Sequence, residues 1–220
     1  MHVRDIMTTN VVTIPSSTSI ADAKRIMTAH RIDRLPVVDK GRLAGMVTSR
    51  RLEQVSPSKA STLTVWEIGY LLEKTSVKEI MEANVVTVTP DTTVEEAVAT
   101  AQSQKVGSLV VLEDGKVAGI VTTNDFFYKI LNPLLGVALH GEPIPGCRID
   151  IAGITDGKVL EDVVSAINSH GLKIDNLIVI PSGADSPAKD LYIHVEEEEP
   201  KKLIAELQAK GYPVRVRKQA

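Results

Sequence analysis

Residues 34–48 read Arg-Leu-Pro-Val-Val-Asp-Lys-Gly-Arg-Leu-Ala-Gly-Met-Val-Thr, and residues 108–122 read Ser-Leu-Val-Val-Leu-Glu-Asp-Gly-Lys-Val-Ala-Gly-Ile-Val-Thr. Each holds two short apolar runs, Leu35 to Val38 with Leu43 to Val47 and Leu109 to Leu112 with Val117 to Val121, broken by Lys40-Gly41 or Asp114-Gly115. A polar residue followed by glycine supplies the positive φ angles of a tight turn, so each stretch predicts a β-hairpin. The two stretches stand 74 positions apart, and the same offset holds upstream without a gap. Val3, Ile6, Met7, Asn10, Val11, Val12 and Thr13 recur as Val77, Ile80, Met81, Asn84, Val85, Val86 and Thr87. The chain therefore carries an internal repeat over its first 130 or so residues.

Ahead of each hairpin, Ser19 with Asp22 and Thr93 with Glu96 stand at capping-box spacing. Behind them Ile20, Ala23, Ile26 and Met27, or Val94, Ala97, Val98 and Ala101, mark the apolar face of a helix. Each copy reads as strand, helix, strand, turn, strand, helix. Two half-covered sheets bury their apolar faces best against one another, which predicts a pseudo-twofold pair with a cleft between the copies. Residues 53–76 connect the copies through Ser56-Pro57-Ser58 and a helix from about Val65, with Thr64 and Glu67 as its capping box. Trp66, Ile68, Leu71 and Leu72 lie on that helix, either packed against the pair or its dimer mate, or with Trp66 stacked on a ligand.

Composition bounds the rest. At 220 residues, 43% hydrophobic and 24% charged, the chain has the balance of one large or two small globular domains, which excludes disorder or a coiled-coil rod as the main architecture. The lone Cys147 cannot form an internal disulfide or a thiolate metal cluster, no apolar stretch has the length to cross a bilayer, and a cytoplasmic location is expected. The net charge of −3 hides a basic N-terminal quarter, with ten Lys and Arg against five Asp and Glu in residues 1–60. That quarter suits a phosphate ligand, whereas the acidic balance of the whole chain and the 3% aromatic content argue against nucleic acid.

The strings V-R-D-I-M with V-V-T-I, R-L-P-V-V-D-K-G-R-L-A-G-M-V-T, V-K-E-I-M and G-K-V-A-G-I-V-T-T-N-D, in this order, resemble a tandem pair of CBS domains, the Bateman module, over residues 3–52 and 77–128. The resemblance implies a regulatory module that binds an adenine nucleotide, AMP, ADP or ATP, between its repeats and pairs with a second copy. The family pattern G-h-h-T-x-x-D is met by Gly119, Thr122 and Asp125. An ionised Asp125 can accept both hydroxyls of a ribose diol, and Thr122 can bond the ribose or the α-phosphate. The plainer role of the same two residues is to cap a helix and favour its positive N-terminus. By resemblance the base is held by Met7, Val12 and the turn Ile32-Asp33-Arg34, with Arg34 as a phosphate fork and Val12 and Ile32 equally readable as core. The symmetric site has Thr48 but Arg51 where the aspartate should stand, and Arg51 has no acceptor for a ribose hydroxyl. With Val86, Val106, Gly107 and Ser108 on its other wall, and Arg50 beside Arg51, it is expected to be weaker, either vacant or biased toward more highly charged ligands.

Past a stiff Pro143-Ile144-Pro145-Gly146 linker, the pattern reads strand from Arg148, helix from Leu160, strands from Lys173 and Leu191, helix from Pro200 and strand from Val214. This βαββαβ order predicts a four-stranded antiparallel sheet with two helices on one face, a ferredoxin-like fold. Ile154-Thr155-Asp156-Gly157 and Ser169-His170-Gly171-Leu172-Lys173-Ile174 resemble an ACT domain, which implies a small effector such as an amino acid at the Asp156-Gly157 turn; Gly157 is equally readable as a plain turn glycine. The Glu196 to Glu199 run reads as a solvated strand end and helix start.

The expected fold class is α/β (α+β), with domains 1–52 and 77–139 as the repeats, 53–76 as their connection, 140–146 as a linker and 147–220 as the ACT-like domain. This domain order resembles that of acetoin-utilisation regulatory proteins. The expected function is a non-catalytic sensor that requires no cofactor or metal, works as a homodimer and acts on an unknown regulated protein. A structural adaptor without ligand, or an accessory subunit answering to an amino acid, is the alternative. An enzyme is disfavoured because His2, His30, His140, His170 and His194 are scattered, with no triad or metal-ligand spacing, and Cys147 reads as a linker residue.

Overall fold

The computed structural model describes residues 1–55, 64–135, 137, 145–183 and 186–218, and the chain divides between Phe126 and Phe127 into two compact units. In the first unit α1 (Val3–Ile6), α2 (Ile20–His30), β1 (Arg34–Asp39), β2 (Arg42–Thr48) and α3 (Ser49–Val55) form one copy of the repeat, and α4 (Val65–Lys74) follows. A 3₁₀ turn over Val77–Glu79, β3 (Thr87–Val88), α5 (Val94–Ser103), β4 (Ser108–Glu113), β5 (Lys116–Thr122) and α6 (Thr123–Phe126) form the second.

Both hairpins turn where the sequence says. Lys40 and Gly41, like Asp114 and Gly115, take the left-handed conformation (φ 50° and 78°, 49° and 76°) that a two-residue turn between right-twisted strands requires. The caps also form. The Ser19 hydroxyl accepts the Asp22 amide at the start of α2, and Thr64 with Glu67 and Thr93 with Glu96 close reciprocal boxes on α4 and α5.

The strand expected before α2 is reduced to a single parallel bridge, Ile14 to Val37, whereas its counterpart is β3, paired with β4. In the second copy the Val110 amide donates to the Val86 carbonyl at 3.1 Å. Position 36 is the equivalent of 110, and Pro36 has no amide proton to give.

The copies exchange their leading segments. Val77 and Ile80, from the start of the second copy, sit in the buried cluster of the first with Ile20, Ala23, Met27, Leu35, Val37, Val47 and Leu52. The Val77 amide donates to the Thr18 carbonyl, as the Val3 amide donates to the Thr92 carbonyl. Neither copy completes its core alone, which is why the repeat comes as a pair.

In the second unit a π turn (Phe127–Leu131) and α7 (Asn132–Leu134) replace the continuous helix expected to end near Gly136, a residue outside those described. Of the expected linker, Pro143 and Ile144 are outside the described residues, as are Ser56, Pro57, Ser58 and His140. Then come β6 (Cys147–Ile154), α8 (Gly157–Ser169), β7 (Ile174–Pro181), β8 (Lys189–Val195), α9 (Lys201–Ala209) and β9 (Val214–Lys218). The sheet order is β7-β8-β6-β9, antiparallel throughout. Cys147, Ile149 and Ile151 alternate with Leu191, Ile193 and Val195 to pack on Val163 and Ile167 of α8 and Leu203 and Leu207 of α9. Cys147 is thus not a linker residue but the fully buried first residue of β6.

Candidate functional site

Where the exchanged segments meet the hairpins, two pseudo-equivalent junctions form. The Thr8 amide donates to the Ile120 carbonyl at 2.9 Å and the Thr8 carbonyl accepts the Ile120 amide at 3.0 Å, while Met46 and Glu82 make the same pair in the other half. At each junction a hairpin glycine faces a methionine. A Cβ on Gly119 would stand 2.7 Å from Met7 Sδ and 3.1 Å from the Thr8 carbonyl, and one on Gly45 would stand 2.8 Å from Met81 Sδ and from the Glu82 carbonyl. Glycine lets the exchanged segment approach this closely. Met7 is thereby held against the strand that ends in Thr122.

Thr122 is the last residue of β5 and Asp125 lies one turn on in α6. Asp125 Oδ2 accepts the Thr122 amide at 2.8 Å and its hydroxyl at 2.7 Å, and the Thr122 hydroxyl accepts the Asp125 amide at 3.4 Å. The pair is a reciprocal helix cap with a half-buried carboxylate at the repeat junction. Asp125 is therefore a structural element of the turn as well as a candidate ligand, and its removal touches folding.

Val12 and Ile32 pack against the buried cluster of the first copy. Ile32 and Asp33 line a groove of about 270 Å³ between α2 and α3, where the Asp33 carboxylate accepts the Ser49 hydroxyl at 3.1 Å. Thr48, Val86, Val106, Gly107 and Ser108, the residues expected at the second site, come together around one cavity of about 260 Å³. Arg34, expected with Thr122 and Asp125, lines this cavity instead, with its guanidinium against Gly107. Arg51, expected here, does not line it: its amide donates to the Thr48 hydroxyl at 3.2 Å and its Nε donates to the Ile80 carbonyl at 3.1 Å. Met46, Arg50, Glu82, Asn84, Val85 and Lys105 complete the wall. Of these, Glu82, Asn84, Val85 and Lys105 are the 74-residue counterparts of Thr8, Asn10, Val11 and Arg31, so the repeat alignment already pointed to the positions.

In the second unit Asp156 caps α8, its carboxylate accepting the Lys158 and Val159 amides at 2.9 and 3.4 Å, and Gly157 is the first residue of that helix. His170 Nε2 lies 2.9 Å from Glu206, and the buried His194 has Nδ1 at 2.9 Å from Asp175. Among the described residues no group of His, Cys, Asp and Glu gathers as a metal site, and no helix is long and apolar enough to cross a membrane.

A family model described as CBS domain matches residues 3–56 and 77–132. The crystal structure of a protein described as an acetoin utilization protein (AcuB), from Vibrio cholerae, is 30% identical, covers 65% of this chain and 98% of that one, and superposes with a TM-score of 0.52. The CBS domain-containing protein YhcV of Bacillus subtilis is 27% identical over 123 residues, covering 56% of this chain and 81% of that protein. An inosine-5'-monophosphate dehydrogenase of Korarchaeum cryptofilum is 31% identical over 159 residues, 72% of this chain. The match spans only 30% of that enzyme's length.

Proposed function

The chain belongs to the CBS domain family, with two repeats over residues 3–56 and 77–132, and from that premise we propose that it is a non-catalytic regulatory protein that binds an adenine nucleotide between its repeats. The observation that carries this reading is the half-buried Asp125 carboxylate in the first turn of α6, capping the end of β5, the strand whose Gly119 is held against Met7 of the other repeat. A carboxylate has two oxygens and about four acceptor sites, so a ribose diol can bond Asp125 while the cap with Thr122 persists. The ligand class follows from the family resemblance.

The second unit has the βαββαβ element order and the β7-β8-β6-β9 sheet order of a ferredoxin-like fold, which supports reading it as an ACT-type domain. Asp156 and the first amides of α8 already satisfy one another, so an effector at that turn would have to displace the cap. We therefore assign signal input to the repeat cleft and output to the second unit. Pairing of two copies is part of the proposal, since Trp66 (88% exposed), Tyr70 (62%) and Leu71 (46%) leave an apolar face on α4.

Calorimetric titration of the full chain with AMP, ADP and ATP tests the reading. Asp125→Asn keeps an oxygen to accept the Thr122 amide but removes the charge that clamps a diol. It should weaken the tightest binding event by about 1.5–3 kcal/mol, with an unchanged circular dichroism spectrum. Undiminished binding in this variant, or turnover of the nucleotide by the purified protein, would overturn it.

A further inference from the structure

Beyond the Asp125 cap the chain stays wound: α6 passes directly into the π turn over Phe127–Leu131 and then into α7. The change of winding has a cause in the sequence. An α-helix through this stretch would bring the amide of residue 133 to the Lys129 carbonyl, and Pro133 has no amide to give. A wider turn ahead of the proline takes up the missing rung.

At its far end the segment is clipped to β7. Asn176 Nδ2 donates to the Pro133 carbonyl at 3.2 Å, and α7 lies against that strand. The clip sits where the pairing of β7 with β8 shifts register, between Ile174 and Asn176, and the intervening Asp175 lies 2.9 Å from Nδ1 of the buried His194. An irregularity of this kind re-aims the side chains beside it. The rest of the segment buries little, since Phe127, Tyr128, Leu131, Leu134 and Leu135 are all exposed. Stretches with few buried apolar contacts open at low cost, so one side-chain bond can decide whether this one stays wound.

Resting on the reading above that a ligand occupies the Asp125 site, we propose that residues 127–135 are a coupling segment with two states, wound and clipped to Asn176, or frayed and released. A ligand that bonds Asp125 holds the cap at the start of α6 and so favours the wound state, and the clip passes that preference to the irregular end of β7. Coupling of this kind is reciprocal: releasing the clip weakens the ligand by the factor with which the ligand tightens the clip.

Hydrogen exchange read by mass spectrometry on the full chain, with and without AMP or ATP, tests this beside calorimetry. Nucleotide should slow exchange in residues 127–135 and 174–181 of the wild-type chain and leave 214–218, on the opposite edge of the same sheet, unchanged. Asn176→Ala should speed exchange in 127–135 and weaken nucleotide binding about twofold to tenfold, the most that one hydrogen bond can pass on. Thr122→Val loosens the cap without any ligand and should speed exchange in 127–135 and 174–181 but not in 214–218. Protection confined to residues 119–126, or an Asn176→Ala chain that binds nucleotide as tightly as wild type, would overturn the proposal and leave the general reading standing. Exchange in Thr122→Val that is unchanged at 174–181, or that rises equally at 214–218, would overturn it as well. Absence of nucleotide binding in the wild-type chain would remove the general reading, and the Thr122→Val comparison would then decide the coupling by itself.

Discussion

Among single residues, Gly119 sets how closely the repeats meet. An added methyl would press on Met7 Sδ, which can swing away, and on the Thr8 carbonyl, which is held by its bond from the Ile120 amide. Gly119→Ala should destabilise the chain by about 1–3 kcal/mol, the usual effect of overpacking a fitted contact. Met7→Ala in the same chain should recover part of that loss, and urea denaturation of the four members of the double-mutant cycle measures it. If the two substitutions simply add, the glycine is not there to admit the methionine. Arg51 makes the complementary point. From sequence it is a missing aspartate; in the fold its Nε holds the Ile80 carbonyl, so Arg51→Ala should lower stability, whereas Arg50→Ala, at an exposed site, should be near neutral in the same denaturation series.

The helices and strands are tied at their ends by carboxylates, and this fixes the response to acid. The Ser19 hydroxyl, followed by Arg25, holds Asp22 below the ordinary aspartate value of 3.8, and the Thr64 amide and hydroxyl hold Glu67 below 4.5. Asp39 is lowered by the Ser16 amide, Asp190 by the Ser182 hydroxyl and the Gly153 amide, and Glu206 by His170 and Lys210. A carboxylate lowered in the folded state contributes stability above its unfolded value and loses it as pH falls through the folded one. The thermal midpoint should therefore be flat above about pH 5 and fall below pH 4.5, and Glu206→Gln should soften that fall. A midpoint that rises on acidification would contradict the assignment. At the opposite end of the scale Tyr212 is raised above 10.0, first by donating to Asp162 at 2.6 Å. Its contribution is complete below pH 10 and lost as pH rises through the higher folded value. Spectrophotometric titration should show one tyrosine ionising later than the others, and Asp162→Asn should bring it back.

At the scale of the whole molecule, the α4 face decides how the protein exists in solution. Trp66 is the single tryptophan of the chain and is 88% exposed, so its fluorescence reports directly on whether that face is covered. A dimer formed there should give a blue-shifted emission that moves to the red on dilution, and Trp66→Ala with Tyr70→Ala should yield a monomeric mass in light scattering. A monomer at micromolar concentration with red emission throughout would rule out this face as the contact.

The chain's sequence by itself determined the elements and their multiplicity. The Lys40-Gly41 and Asp114-Gly115 turns, the capping pairs and the βαββαβ order after Cys147 rest on residues a few positions apart, whose preferences act before any tertiary contact forms, and the 74-residue register writes the same local signals twice. Even the weakened first strand was written there, in the missing amide of Pro36. What only the tertiary structure decided is which distant side chains share a space. Arg34 turned to Gly107 and the Thr48 cavity, Arg51 turned away to Ile80, and Lys105 joined Arg50 at the rim because the exchanged segments dock at the glycines. A long arginine or lysine side chain has no preferred direction of its own. The carbonyl, glycine or cavity that the folded chain brings within its reach chooses for it, and that choice separates the two clefts of an almost symmetric pair.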